Sequence, residues 1–283
     1  MISELPLYIA NILHQRADYV LLTEEEWWKR EQKTWQDFFG EEIDVPPPPR
    51  EMHKIMYSAY GSKWPTVEPV YIPPIGYDDP KAFDPKATYP GWWLKPDHNF
   101  WQMVEEGQIG NESVQLGGYW AVYDVTTKPD VPLFGRGKQM YKADLLGNDP
   151  FGKLLADLRD SKTGLIAFPP FFVNISKKSR FALSPDEIDK IVLPEILQQL
   201  GIDKSLWTIR LPKTIEYSLL TSRFRKKIPT LVPECAEWFA DRDKSGKFLA
   251  GGNEYNRGIM GVYTGASSTH DELVGFRPII VRK

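Results

Sequence analysis

A single cysteine, Cys235, stands in 283 residues, so no disulfide can close within the chain and no thiolate cluster is at hand for zinc. Histidine is scarce as well. The four are His14, His53, His98 and His270, and their spacing lends no support to two of them joining a carboxylate, the set that non-haem iron chemistry requires. Neither sign of charge dominates: 35 basic residues face 38 acidic ones for a net −3, with a pI near 5.9. Nucleic acid and anionic lipid therefore meet no broad basic footprint. Long apolar runs are missing too. Residues 5–22 come nearest, but His14, Gln15, Arg16 and Asp18 interrupt them and no basic cluster precedes them. That pattern reads as neither a secretory leader nor a membrane span, and a cytoplasmic or virion-associated location is the expectation. No internal repeat is visible, and the 42% hydrophobic content is enough for a substantial core in one large domain or two small ones.

What is present begins with helix signals. Thr23 followed by Glu24, Glu25 and Glu26 has capping-box spacing, and Gly40 follows Trp35, Phe38 and Phe39, which predicts a helix over 24–39. Twelve of the 24 prolines fall between positions 44 and 96, so regular structure should be sparse there. The aromatic side chains Trp64, Tyr71, Tyr77, Trp92, Trp93 and Trp101 argue for an extended strap packed on a core rather than a flexible linker. Residues 117–125 alternate with aromatic and β-branched side chains, as a half-buried strand does. Asp149 and Pro150 open a helix expected to run to Gly164. Ser184, Pro185, Asp186 and Glu187 open another, to about Leu200, with a kink where Pro194 interrupts it. A helix from Thr214 to about Phe224 follows, and the chain ends in a strand near 278–281.

From position 184 onward four landmarks occur in order: Arg210-Leu211-Pro212 with Glu216-Tyr217, then Glu237-Trp238 with Asp241, then Gly251-Gly252, then Gly275-Phe276-Arg277. This order resembles the C-type-lectin-like domain of the formylglycine-generating-enzyme (sulfatase-modifying factor) superfamily. Within it, the chain is most similar to the variable proteins diversified by retroelements, the likeness extending upstream to about residue 115. The resemblance implies an α+β, C-type-lectin-like domain over 111–283, preceded by an unassigned helix and Pro-rich region over 1–110. Arg210 and Arg277 are expected to hold carboxylates such as Glu216 and Glu237, Trp238 and Phe276 to fill core volume, and Gly251 and Gly252 to allow a tight turn or close backbone approach.

Formylglycine formation in that superfamily uses a cysteine pair shortly after the Gly-Gly turn. Residues 251–261 contain none, and Cys235 reads as a small buried hydrophobe. The expectation is a non-enzymatic binding protein with no catalytic residue and no metal. An enzyme of altered, metal-dependent chemistry is the alternative, and a structural or virion protein assembled through residues 1–110 is a third reading. Asp241 to Gly246 resembles the start of a calcium loop, but its twelfth position is Gly252 where a bidentate Glu is required. The segment reads as a polar turn, with irregular calcium binding through Asp241, Asp243, Asn253 and Glu254 left open.

In the variable-protein branch, exposed positions are randomised through asparagine-type codons. Residues 253–270 hold 11 of 18 from Tyr, Ser, Gly, Asn and Thr, a composition that suits a paratope because tyrosine gives a rigid amphipathic face and small polar residues adapt their hydrogen bonds. Surface loops are rich in Gly, Ser, Thr and Asn in any case. The expected contacts are Tyr255, Asn256, Arg257, Tyr263, Ser267, Ser268 and His270, flanked by Asp241, Asp243 and Asn253. The partner would be a protein or cell-surface ligand, and oligomerisation would raise its avidity.

Overall fold

The computed structural model describes residues 22–61, 64, 66–74, 91–126, 149–160, 164–166, 175–225, 235–254 and 258–283. Among them the chain is mixed α+β with two sheets. The first holds β1 (Val67–Ile72), β3 (Tyr119–Asp124), β9 (Ile279–Arg282) and β4 (Trp207–Arg210) in the order β1-β3-β9-β4. The second holds β2 (Lys95–Pro96), β7 (Ile259–Gly265), β6 (Phe248–Glu254), β5 (Ala236–Arg242) and β8 (Val274–Gly275) in the order β2-β7-β6-β5-β8.

Helix α1 (Glu24–Phe39) starts and stops where the sequence predicts. The Thr23 hydroxyl accepts from the Glu26 amide while Glu26 accepts from the Thr23 amide, and Gly40 closes the other end at φ 75°. Its buried face carries Trp27, Trp35, Phe38 and Phe39. The Pro-rich stretch after it is partly a strap: Val45 and Pro48 turn inward, and the Trp120 indole donates to the Pro46 carbonyl over 2.9 Å. The expectation of sparse regular structure fails beyond that. Helix α2 (Met52–Gly61) and strand β1 both lie in this stretch, and helix α3 (His98–Glu105) follows directly after it. Strand β1 tolerates Pro69 because it is an edge strand, where a missing donor breaks no ladder bond. Side chains of α1 cover that edge: Arg30 Nη2 donates to the Pro69 carbonyl over 3.0 Å, and the Tyr71 amide donates to Glu31 over 3.0 Å.

Strands from both sides of position 110 share each sheet, β1 pairing antiparallel with β3 and β2 parallel with β7. Strand β3 lies between β1 and β9, so it is buried along nearly its whole length instead of half-buried. Helix α4 (Gly152–Leu158) ends well short of Gly164. The helix after Ser184 runs as Pro185–Glu187, a π turn over Ile188–Val192, and Leu193–Gln199; together these form α5. Pro194 has no amide to donate, and the widened turn in front of it, with the Leu193 amide reaching the Ile188 carbonyl, absorbs the expected kink.

Helix α6 (Thr214–Arg223) is buried over residues 214–222 and joins the two sheets. Tyr217 packs on Phe239 of β5 at 5.1 Å between ring centroids, and Phe224, just past the helix, stacks on Tyr123 of β3 at 6.2 Å. A helix buried on every side must satisfy its polar side chains internally. Ser218 donates to the Leu94 carbonyl, and the Ser222 hydroxyl accepts from the Leu94 amide at 2.8 Å. No helix among the described residues is long and apolar enough to cross a membrane.

Candidate ligand-binding surface

Buried ion pairs set the frame beneath the hairpin of β6 and β7. Arg277, 0% exposed, donates through Nε and Nη2 to Glu237 at 3.2 and 3.0 Å, and through Nη1 to the Asp124 carbonyl at 2.6 Å. One guanidinium therefore ties β5 of the second sheet to β3 of the first, with fork geometry that lysine does not offer. Arg180 adds a second tie, meeting Asp124 at 2.5 Å and Asp149 at 2.8 Å. Burial pushes the Asp124 carboxyl upward, but Arg180, Arg277 and Thr126 together outweigh it and hold the group below the usual aspartate range.

The third tie is Arg210 with Glu216, bidentate at 2.7 and 2.8 Å, completed by the Lys213 amide at 2.8 Å and the Tyr119 hydroxyl. Burial raises Glu216, and the Arg210 charge and these hydrogen bonds more than reverse that. Trp238 is buried and donates to the Leu183 carbonyl over 3.2 Å, and Phe276 is buried against Phe151 with centroids 6.0 Å apart.

Gly251 and Gly252 lie within strand β6 and do not form a turn. A Cβ on Gly251 would sit 2.2 Å from the Gly261 carbonyl oxygen, so β7 can approach only because that atom is missing. Gly252 has φ 97°, and a Cβ there would lie 2.6 Å from the Tyr217 hydroxyl.

The expected ligand contacts separate into distinct groups. Asp241 is buried, at 5% exposure, and its Oδ2 accepts from the amide and hydroxyl of Thr214 at 2.6 and 2.7 Å, capping the start of α6. It belongs to the frame, which corrects its placement beside the ligand; burial also raises its carboxyl above the usual range. Asp243 binds its own turn between β5 and β6, accepting from the amides of Ser245 and Lys247 at 2.8 and 3.0 Å. Asp241 lies in β5, so only residues 243–246 form the polar turn that the sequence predicts for 241–246. Among the described residues no three of His, Cys, Asp and Glu gather as metal ligands.

Asn253 is half-buried in β6, while Tyr255, Asn256 and Arg257 lie outside the described residues. Tyr263 projects from β7 at 40% exposure, and Ser268 is exposed in the turn that follows. Ser267 and His270 are half-buried and tied to the start of α5. The Asp186 amide donates to the Ser267 carbonyl at 3.0 Å, and His270 Nε2 lies 2.8 Å from Glu187 Oε2. The ends of β7 are about 20 Å apart at ordinary strand rise, so Gly258 and residues 266–270 do not lie at one tip. They mark the two ends of a strand whose outward residues Ile259, Gly261, Tyr263 and Gly265 are at least partly exposed.

Sequence reasoning missed a neighbour of the first end. The Arg225 guanidinium lies over the Trp93 ring at 3.9 Å to its centroid. Trp93 is held in place by its amide, which donates to the Ser222 hydroxyl at 3.2 Å. Gly258 packs flush on it, a Cβ there lying 2.5 Å from the Trp93 carbonyl oxygen. Nothing in the sequence links positions so far apart, and only the basic run after Ser222 was there to be noticed.

No family model, no curated protein and no solved structure matches this chain.

Proposed function

We propose that this chain is a non-enzymatic ligand-binding protein, receptor- or adhesion-like, with a C-type-lectin-like body that displays the outer face of β7 and the segments at its two ends. The observation that carries the reading is Tyr263. It is a large aromatic side chain at 40% exposure, on a strand paired across to the buried Ala250 and Trp238. A rigid frame with an exposed tyrosine at its surface is the arrangement that binding surfaces favour, because little side-chain entropy is lost on contact.

Support for the lectin-like body comes from the four sequence landmarks. Their residues supply two of the ties between elements, Arg210 with Glu216 and Arg277 with Glu237, along with the buried Trp238 and Phe276. Support for diversification is compositional and rests on residues 253–270. The partner is a protein or cell-surface ligand, bound without a cofactor.

The test is a display library in which positions 255, 256, 263 and 268 are randomised and selected against hen lysozyme. The proposal expects most members to fold and binders to emerge. A library that is mostly unfolded contradicts it. Retroelement diversification is tested separately by sequencing the gene's surroundings for a near-copy of its 3′ segment that differs at adenines, and absence of that copy removes that part of the reading.

A further inference from the structure

Resting on the binding reading above, we propose that Trp93 and Arg225 form a fixed corner of the same surface that takes a carboxylate-bearing segment of the partner. Arg180, Arg210, Arg223, Arg242 and Arg277 each pair with a carboxylate of this chain. Arg225 lies exposed over an indole instead and makes no ion pair among the described residues. With its Cζ 3.9 Å from the Trp93 ring centroid and its side chain exposed, the guanidinium retains N–H groups that a carboxylate can take in a bidentate fork. The platform is rigid. Ser222 takes the Trp93 and Leu94 amides, and the Lys95 amide donates to the Gly258 carbonyl at 2.7 Å. That last bond ties the corner to Gly258, the residue that precedes β7. Charge favours an acidic occupant, because the guanidinium of Arg225 is exposed there and no carboxylate of the described residues pairs with it. Tryptophan, tyrosine and arginine are also the side chains on which binding energy concentrates.

The experiment titrates the full chain into fluorescein-labelled hexaglutamate at low ionic strength, read by anisotropy, with hexaglutamine as the uncharged control. Hexaglutamate should bind and hexaglutamine should not. Arg225→Ala should weaken binding about tenfold, as loss of a charge-assisted fork does, with an unchanged melting temperature. Arg225→Lys keeps the charge and loses the fork, so it should bind several-fold more weakly than the unchanged chain. Equal binding of the two peptides overturns the proposal, and so does an Arg225→Lys variant that binds as tightly as the unchanged chain, since bulk charge alone would then be acting. The lysozyme library leaves Trp93 and Arg225 untouched. Binders from that library with no hexaglutamate binding would overturn this corner alone, whereas an unfolded library would overturn the hairpin reading itself.

Discussion

Arg277→Met removes the guanidinium that joins the two sheets while keeping much of its apolar stem. Glu237 and the Asp124 carbonyl, both buried, then lose three donors placed at 3.2, 3.0 and 2.6 Å. Leaving a buried carboxylate without its partner costs about 3–5 kcal/mol. For a chain of this length that corresponds to a drop of roughly 10 °C in melting temperature. Urea unfolding followed by circular dichroism gives the free energy directly, provided the slope against denaturant stays constant. The double variant Arg277→Met/Glu237→Gln removes the stranded charge and should regain a large part of the loss, so the two substitutions should be strongly non-additive. A single variant within about 1 kcal/mol of the unchanged chain, or a double variant equal to the sum of its parts, would refute the idea that this pair bears on the frame.

Gly252→Ala should destabilise by about 1–3 kcal/mol, the usual cost of a non-glycine residue held in such a region, because φ is 97° and the new Cβ would lie 2.6 Å from the Tyr217 hydroxyl; a thermal melt reads it. Acid should expose the Arg210–Glu216 tie. The folded-state pKa of Glu216 lies below its ordinary 4.5, so its contribution is complete above that value and is lost as pH falls through the folded one. The stability advantage of the unchanged chain over Glu216→Gln should therefore shrink as pH drops below 4.5, and urea midpoints across that range measure it. An advantage that grows toward acid would contradict the assigned sign.

Much of the scaffold was legible because its signals are local. Thr23, Gly40, Ser184, Pro185 and Gly201 mark helix ends through chemistry that acts within a turn, and α1 and α5 follow from them. That Arg210 and Arg277 hold carboxylates such as Glu216 or Glu237 was expected, but which arginine takes which acid was not; the fold pairs Arg210 with Glu216 and Arg277 with Glu237. Strand β1 was missed because proline normally argues against a strand, and only its edge position, a tertiary fact, makes Pro69 acceptable. Helix α3 had a signal that went unread: Asp97 caps it through the Phe100 amide at 3.2 Å. Asp241 was misplaced because an acid beside a turn usually faces water, and here the turn lies one strand-end away while the side chain caps α6. The stacked pair Trp93–Arg225 had no local signal at all, since it exists only where β2, α6 and the loop before β7 meet.

The most direct measurement compares unfolding of Tyr255→Ala/Tyr263→Ala with that of Arg277→Met under identical conditions. Independence of the frame from what it presents predicts that the tyrosine variant loses no more than about 1 kcal/mol, the scale of a surface change. A loss as large as that of Arg277→Met would mean that these tyrosines hold the core together, and the display reading would have to be given up.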